Sequence, residues 1–117
     1  MSYINTKKRG IARIIIFPFG KNSYRAVCLD FDLIEDAKTI EQVEHEIRES
    51  VMGYVENVCI NNLPDELLNR HADQKYWKIL KAYQKYMASK RVIQNFSRNV
   101  EKSSFLSLPI RSLCPTG

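Results

Sequence analysis

The sequence predicts an α+β domain: a small antiparallel β-sheet packed by one long helix, with a second helix and a C-terminal edge strand. Three observations carry that expectation. A β-branched run at residues 11–17 is followed, across a turn, by an alternating segment at 23–29. A stretch opening at Thr39 then repeats its apolar residues every three or four positions. A second stretch of the same period follows Asp73 and precedes a short apolar segment at 105–110.

Taken in order, residues 1–9 are polar and basic and read as a frayed arm. Residues 11–17 are β-branched and aromatic, which suits a pleated, buried surface. Pro18, Gly20 and Asn22 then supply the residues that turns recruit for fixed or positive φ. In the next run Tyr24, Ala26 and Cys28 fall on one face and Arg25, Val27 and Leu29 on the other, so the pair reads as a β-hairpin. A third, short strand is expected at 31–35, returning beside the second. Thr39 and Gln42 match the capping box that opens a helix. Ile40, Val43, Ile47, Val51, Tyr54 and Val58 then lie within an arc of about 80°, a narrow stripe facing a core. Gly53 costs about 1 kcal/mol of helix propensity, and a close approach of the sheet is the expected reason for it. Asn61, Asn62 and Pro64 end the helix.

Residues 64–70 suggest one helical turn with Pro64 near its start. A second helix is expected at 73–90, with Tyr76, Ile79, Leu80, Tyr83, Tyr86 and Met87 on one face and Lys75, Lys78, Lys81 and Lys85 almost opposite. Residues 94–104 read as a linker, and Pro109 would confine the last strand to a sheet edge. The expected organisation is one domain over 1–117: a core at 11–60, a helical extension at 64–90, and a linker with edge strand at 94–117.

Composition narrows the function classes. A chain of 117 residues is enough for one domain that buries roughly 65% of the surface its unfolded form exposes. The longest apolar run, residues 14–19, is far short of the roughly 20 residues a membrane span needs. The N-terminal basic cluster is followed by Arg13 and Pro18 and makes a poor signal peptide. Cys28, Cys59 and Cys114 are widely spaced and odd in number, with no C-x-x-C, and only two histidines accompany them. Neither a disulfide framework nor a zinc site is indicated, and reduced thiols in a cytoplasmic protein are expected. Cys28 alternates inward and is expected to be inert; Cys114, near the C-terminal tail, is expected to be the most oxidisable of the three.

Charge is unevenly spread. Residues 1–37 sum to +2, residues 38–69 to −5 and residues 70–117 to +8, for a net +5. Such asymmetry either builds an acidic face and a basic face for different partners or reflects two solvated helix surfaces.

The segment Tyr24-Arg25-Ala26-Val27-Cys28-Leu29-Asp30-Phe31-Asp32 and the helix opening Lys38-Thr39-Ile40-Glu41-Gln42-Val43 carry a further signal. They resemble the shrunken RNase H-like domain of HicB family antitoxins, where a Y-x-A/V strand leads to an aspartate-containing bend and a (D/N)-T-x-E-(E/Q)-A helix opening. The likeness covers roughly residues 11–60. Leu67-Leu68-Asn69-Arg70 followed by Tyr76-Trp77 resembles an extension of compact HicB-like proteins. The chain departs from the family at Val43, where Ala is usual. It departs again at Leu33-Ile34-Glu35-Asp36, where a Gly-Gly or Gly-Cys pair is usual. No C-terminal DNA-binding domain is recognisable, since seven residues follow Ile110. The resemblance implies a partner: a small, basic, mRNA-cleaving toxin (HicA-like), whose RNA-binding surface the domain covers. Tyr24, Asp30, Phe31, Asp32, Glu35, Asp36 and Glu41 are the expected contacts, and exposed strand edges lead us to expect a homodimer joined through residues 105–110.

Catalysis is not expected. Two-metal nuclease chemistry of the RNase H type needs a carboxylate on the first strand, and residues 11–17 contain none. No cofactor or metal is implied. His45 sits between Glu41 and Glu49 on a polar helix face and reads as a surface histidine; His71 reads as a cap or hinge. The rival to protein docking is nucleic-acid binding by Lys75, Lys78, Lys81, Lys85, Lys90 and Arg91, with nearby aromatic residues able to stack on bases. No established nucleic-acid motif supports that rival.

Overall fold

The structure, a computed structural model, describes residues 5–89 and 103–114. Four strands form one antiparallel sheet: β1 (Ile11–Pro18), β2 (Tyr24–Cys28), β3 (Leu33–Ala37) and β4 (Ser104–Pro109), in the order β3-β2-β1-β4. The α+β expectation holds. Ile14 lies opposite Cys28 on β2 and Leu106 on β4, while Val27 lies opposite Ile34 on β3. β4 occupies an edge, so Pro109 sits where a missing N–H is tolerated.

Helix α1 (Ile40–Ile60) crosses one sheet face and buries Val43, Ile47, Val51, Val55 and Val58. They pack on Ala12, Ile14, Ile16, Ala26 and Cys28. Helix α2 (Gln74–Ser89) covers the opposite face, where Tyr76 and Leu80 meet Ile15, Phe17, Val27 and Leu29. The sheet is therefore the middle of three layers. That placement explains the apolar run of β1 from Ile14 to Phe17, all buried: a central strand covered on both faces has little polar side to present. A 3-10 turn at Asp65–Leu68 follows Pro64, and a four-residue helix α3 (Ile110–Leu113) closes the chain's last described segment by burying Ile110 under α1.

The Thr39 cap forms, its hydroxyl accepting the Gln42 amide at 3.1 Å. The other half of the capping box does not, because the Gln42 side chain turns forward to Glu46. Four further expectations are corrected. The third strand lies at Leu33–Ala37, two residues later than expected, because Phe31 is consumed by the core and Asp32 takes φ +58° in the bend. The residues from Asn5 onward are not frayed. The buried Asn5 side chain donates to Ile11 and Leu68 carbonyls and accepts the Ile11 amide, and Asn5 and Asn69 exchange two more bonds. A Cβ on Gly10, whose φ is +128°, would stand 2.2 Å from the Asn5 Oδ1, so this glycine is dictated by close approach. Gly53 is not: it points into open space with nothing within 4 Å.

The fourth correction concerns the cysteines. Cys59 and Cys114 form a disulfide across a sequence separation of 55. Spacing gives no hint of it, since the two meet only because α3 returns under the end of α1. Cys28 is the free thiol among the described residues, buried, with its pKa pushed up to about 12 by burial. The expected linker at 94–104 falls mostly outside the described residues, as do Lys90 and Arg91.

Candidate functional site

The bend between β2 and β3 is built around Asp30. Its side chain is 0% exposed and clasps Arg13, with Nη2 to Oδ1 at 2.6 Å and Nε to Oδ2 at 3.0 Å. The backbone amide of Arg13 also donates to Oδ2 at 2.8 Å. Where β2 stops, the carboxylate thus takes over as the acceptor for a β1 amide. Phe31, 1% exposed, stacks on Tyr54 with ring centroids 5.1 Å apart. The sequence places Asp30 and Phe31 among the partner contacts; buried in this way, they have no surface to offer one.

The other expected contact residues spread over two faces. Glu35 is half-buried and accepts a hydrogen bond from Ser50 on α1. Asp36, on the α2 side, makes a two-pronged pair with Arg25 at 2.8 and 2.9 Å. That guanidinium holds the Asp36 carboxyl below the usual carboxylate range, and the carboxylate in turn raises the Arg25 pKa. Arg25 also donates to the Tyr76 hydroxyl and lies 3.6 Å from the Phe19 ring centroid. Tyr24 is half-buried against the α1-side core. Asp32 and Glu41 are exposed.

Among the described residues, two surfaces are suited to recognition. The first is the outer side of α1. Glu41, His45, Glu49, Met52 and Glu56 are all exposed and recur at intervals of four, four, three and four. At 100° per residue they span about 80° of arc, a stripe directed away from the valine stripe in the core. Across α1, five glutamates stand against one arginine, and that arginine, Arg48, pairs with Glu44 at 3.0 Å. Met52, 47% exposed, sets an apolar contact among the acids.

The second surface lies on α2, across the sheet. α2 carries Lys75, Lys78, Lys81 and Lys85 and no acid. Lys78 and Lys81 line a cleft of about 500 Å³ with Arg13, His71, Gln74 and Trp77. The Arg13 guanidinium lies 4.7 Å from the Trp77 ring centroid, and His71 lies 5.4 Å from it. Lys75 belongs instead to a more apolar groove of about 420 Å³ with Phe17, Phe19, Arg25, Tyr76 and Ile79. Lys85 lines neither. Helical spacing alone joins the four lysines in one row; the fold divides them, and it adds Arg13 and His71. The available signal is parity: Arg13 shares the α2-facing side of β1 with Ile15 and Phe17.

Among the described residues no group of three or more His, Cys, Asp or Glu is placed to hold a metal ion, and no helix is long and apolar enough to cross a membrane. Comparison with protein-family models, with curated proteins and with solved structures finds no match.

Proposed function

We propose that this chain is a protein-binding module of the HicB-like antitoxin kind, which neutralises a small basic mRNA-cleaving protein by covering its RNA-binding surface. The single observation that supports this reading is the exposed stripe Glu41–His45–Glu49–Met52–Glu56 on the outer side of α1. From Glu41 to Glu56 that stripe runs about 22 Å along the helix, a length suited to the strip of cations with which a basic protein grips RNA. Charge of one sign along a rigid element accelerates encounter with a partner of the other sign, and burial of Met52 slows release. The chain docks and does not catalyse. It acts as a homodimer paired through the outer edge of β4.

The test is affinity capture on the tagged chain, followed by an RNA-cleavage assay of what is recovered. The expected result is a small basic protein whose cleavage activity stops at stoichiometric addition of this chain. Replacing Glu41, Glu49 and Glu56 together by Lys should weaken that association at least tenfold, mainly through a slower on-rate that loses its salt dependence. Capture that ignores the three reversals contradicts the proposal.

A further inference from the structure

We infer that the cleft between β1 and the start of α2 binds single-stranded nucleic acid, with Lys78 and Lys81 on backbone phosphates and Trp77 against a base. This surface lies across the sheet from the acidic stripe, and the inference stands independently of the docking role proposed for α1.

The cleft combines the two chemistries that a nucleic-acid strand requires. Cations lie at its rim: Lys78 and Lys81 are exposed and sit three residues apart on one helix face. An aromatic ring forms part of its wall: Trp77 is half-buried, so the ring is held by the protein while part of it meets solvent. Aromatic platforms next to phosphate-binding cations are how sequence-tolerant single-strand binders work, because every base has a π-face.

The ring is also fixed in place. Buried Asp30 clasps Arg13, and the Arg13 guanidinium packs on Trp77 at 4.7 Å. His71 closes on the same ring from the segment preceding α2. That segment is itself pinned, since the Ala72 amide donates to the Leu29 carbonyl at 2.9 Å. Arg13 and Asp30 are thus positioning residues, and the platform they hold costs little further ordering when a base arrives. The cleft volume of about 500 Å³ accommodates one nucleotide unit. A duplex, whose stacked bases present no free face, offers Trp77 nothing to stack against.

Trp77 is the chain's single tryptophan, so its fluorescence reports this cleft alone. The experiment titrates the full chain with a fluorescein-labelled 12-nucleotide oligouridylate at 50 and 200 mM salt, reading anisotropy and, with unlabelled strand, Trp77 emission. Saturable binding with quenching is expected. Lys78→Ala with Lys81→Ala should weaken binding at least tenfold at 50 mM salt and flatten the slope of log K against log salt by about 1.4, roughly 0.7 for each phosphate no longer neutralised. Trp77→Phe should weaken binding about threefold with the slope unchanged. Lys85→Ala, outside the cleft, should change neither reading, and the lysine variants should melt with the parent because the altered side chains are exposed. Uridine monophosphate should bind far more weakly than the strand. Equal binding of the monophosphate would make the site a nucleotide pocket and overturn the strand assignment. Equal binding of a duplex, an unquenched Trp77, or an equal loss in Lys85→Ala would overturn the proposal.

Discussion

Arg13 and Asp30 show how much a single pair settles. A cation in the middle of a β-branched strand and an acid in a bend each look like surface residues when read alone. Together they terminate β2, satisfy a β1 amide and position Trp77. Removing the fully buried carboxylate takes away the acceptor for the Arg13 amide and for two of its guanidinium donors at once. Asp30→Ala should therefore destabilise the domain by about 3 kcal/mol, measured by urea denaturation, and should shift Trp77 emission as the ring loses its anchor. A loss below about 1 kcal/mol would place the pair among ordinary surface bridges.

At the scale of elements, α1 is a long helix with an unsupported weak point. Gly53 meets nothing within 4 Å, so no contact compensates its backbone entropy. Gly53→Ala should stabilise the domain by about 1 kcal/mol, seen as a rise in the urea midpoint at unchanged m-value; destabilisation would mean that the sheet or a partner approaches there after all. The two helices, the hairpin and the edge strand are legible because hydrophobic period, turn residues and a Thr39 cap act locally and agree with one another. The third strand is displaced by two residues because Phe31 satisfies the alternation pattern equally well as a strand residue and as a core plug. The acidic bend is illegible for a different reason. Charge is visible in a sequence, but whether a carboxylate is solvated depends on what lies opposite, and Arg13 is seventeen residues away. The basic cleft is half legible, its lysines from helical spacing and its remaining wall only from the packing of α2 on the sheet.

The whole molecule is an acidic helix and a basic helix held apart by a sheet, with α1 carrying a net −4 and α2 a net +4. Opposite charge on opposite faces would let the proposed basic protein and the proposed nucleic-acid strand bind without competing for a surface. The Cys59–Cys114 bond ties the end of α1 to the last described turn across a long loop. In a chain-entropy account such a closure contributes about 4 kcal/mol, so reduction should lower the denaturation midpoint accordingly. Thiol titration should find one group in the unfolded, unreduced chain and three after reduction, while Cys28 stays unreactive in the native state at pH 8. Identical melting of reduced and oxidised protein would remove the clamp from the account.

Hydrogen–deuterium exchange on the complex with the captured basic protein tests the docking claim most directly. Slowed exchange should appear along α1 and the adjoining β3, with α2 unchanged. Protection confined to α2, or the recovery of no basic protein at all, would contradict it.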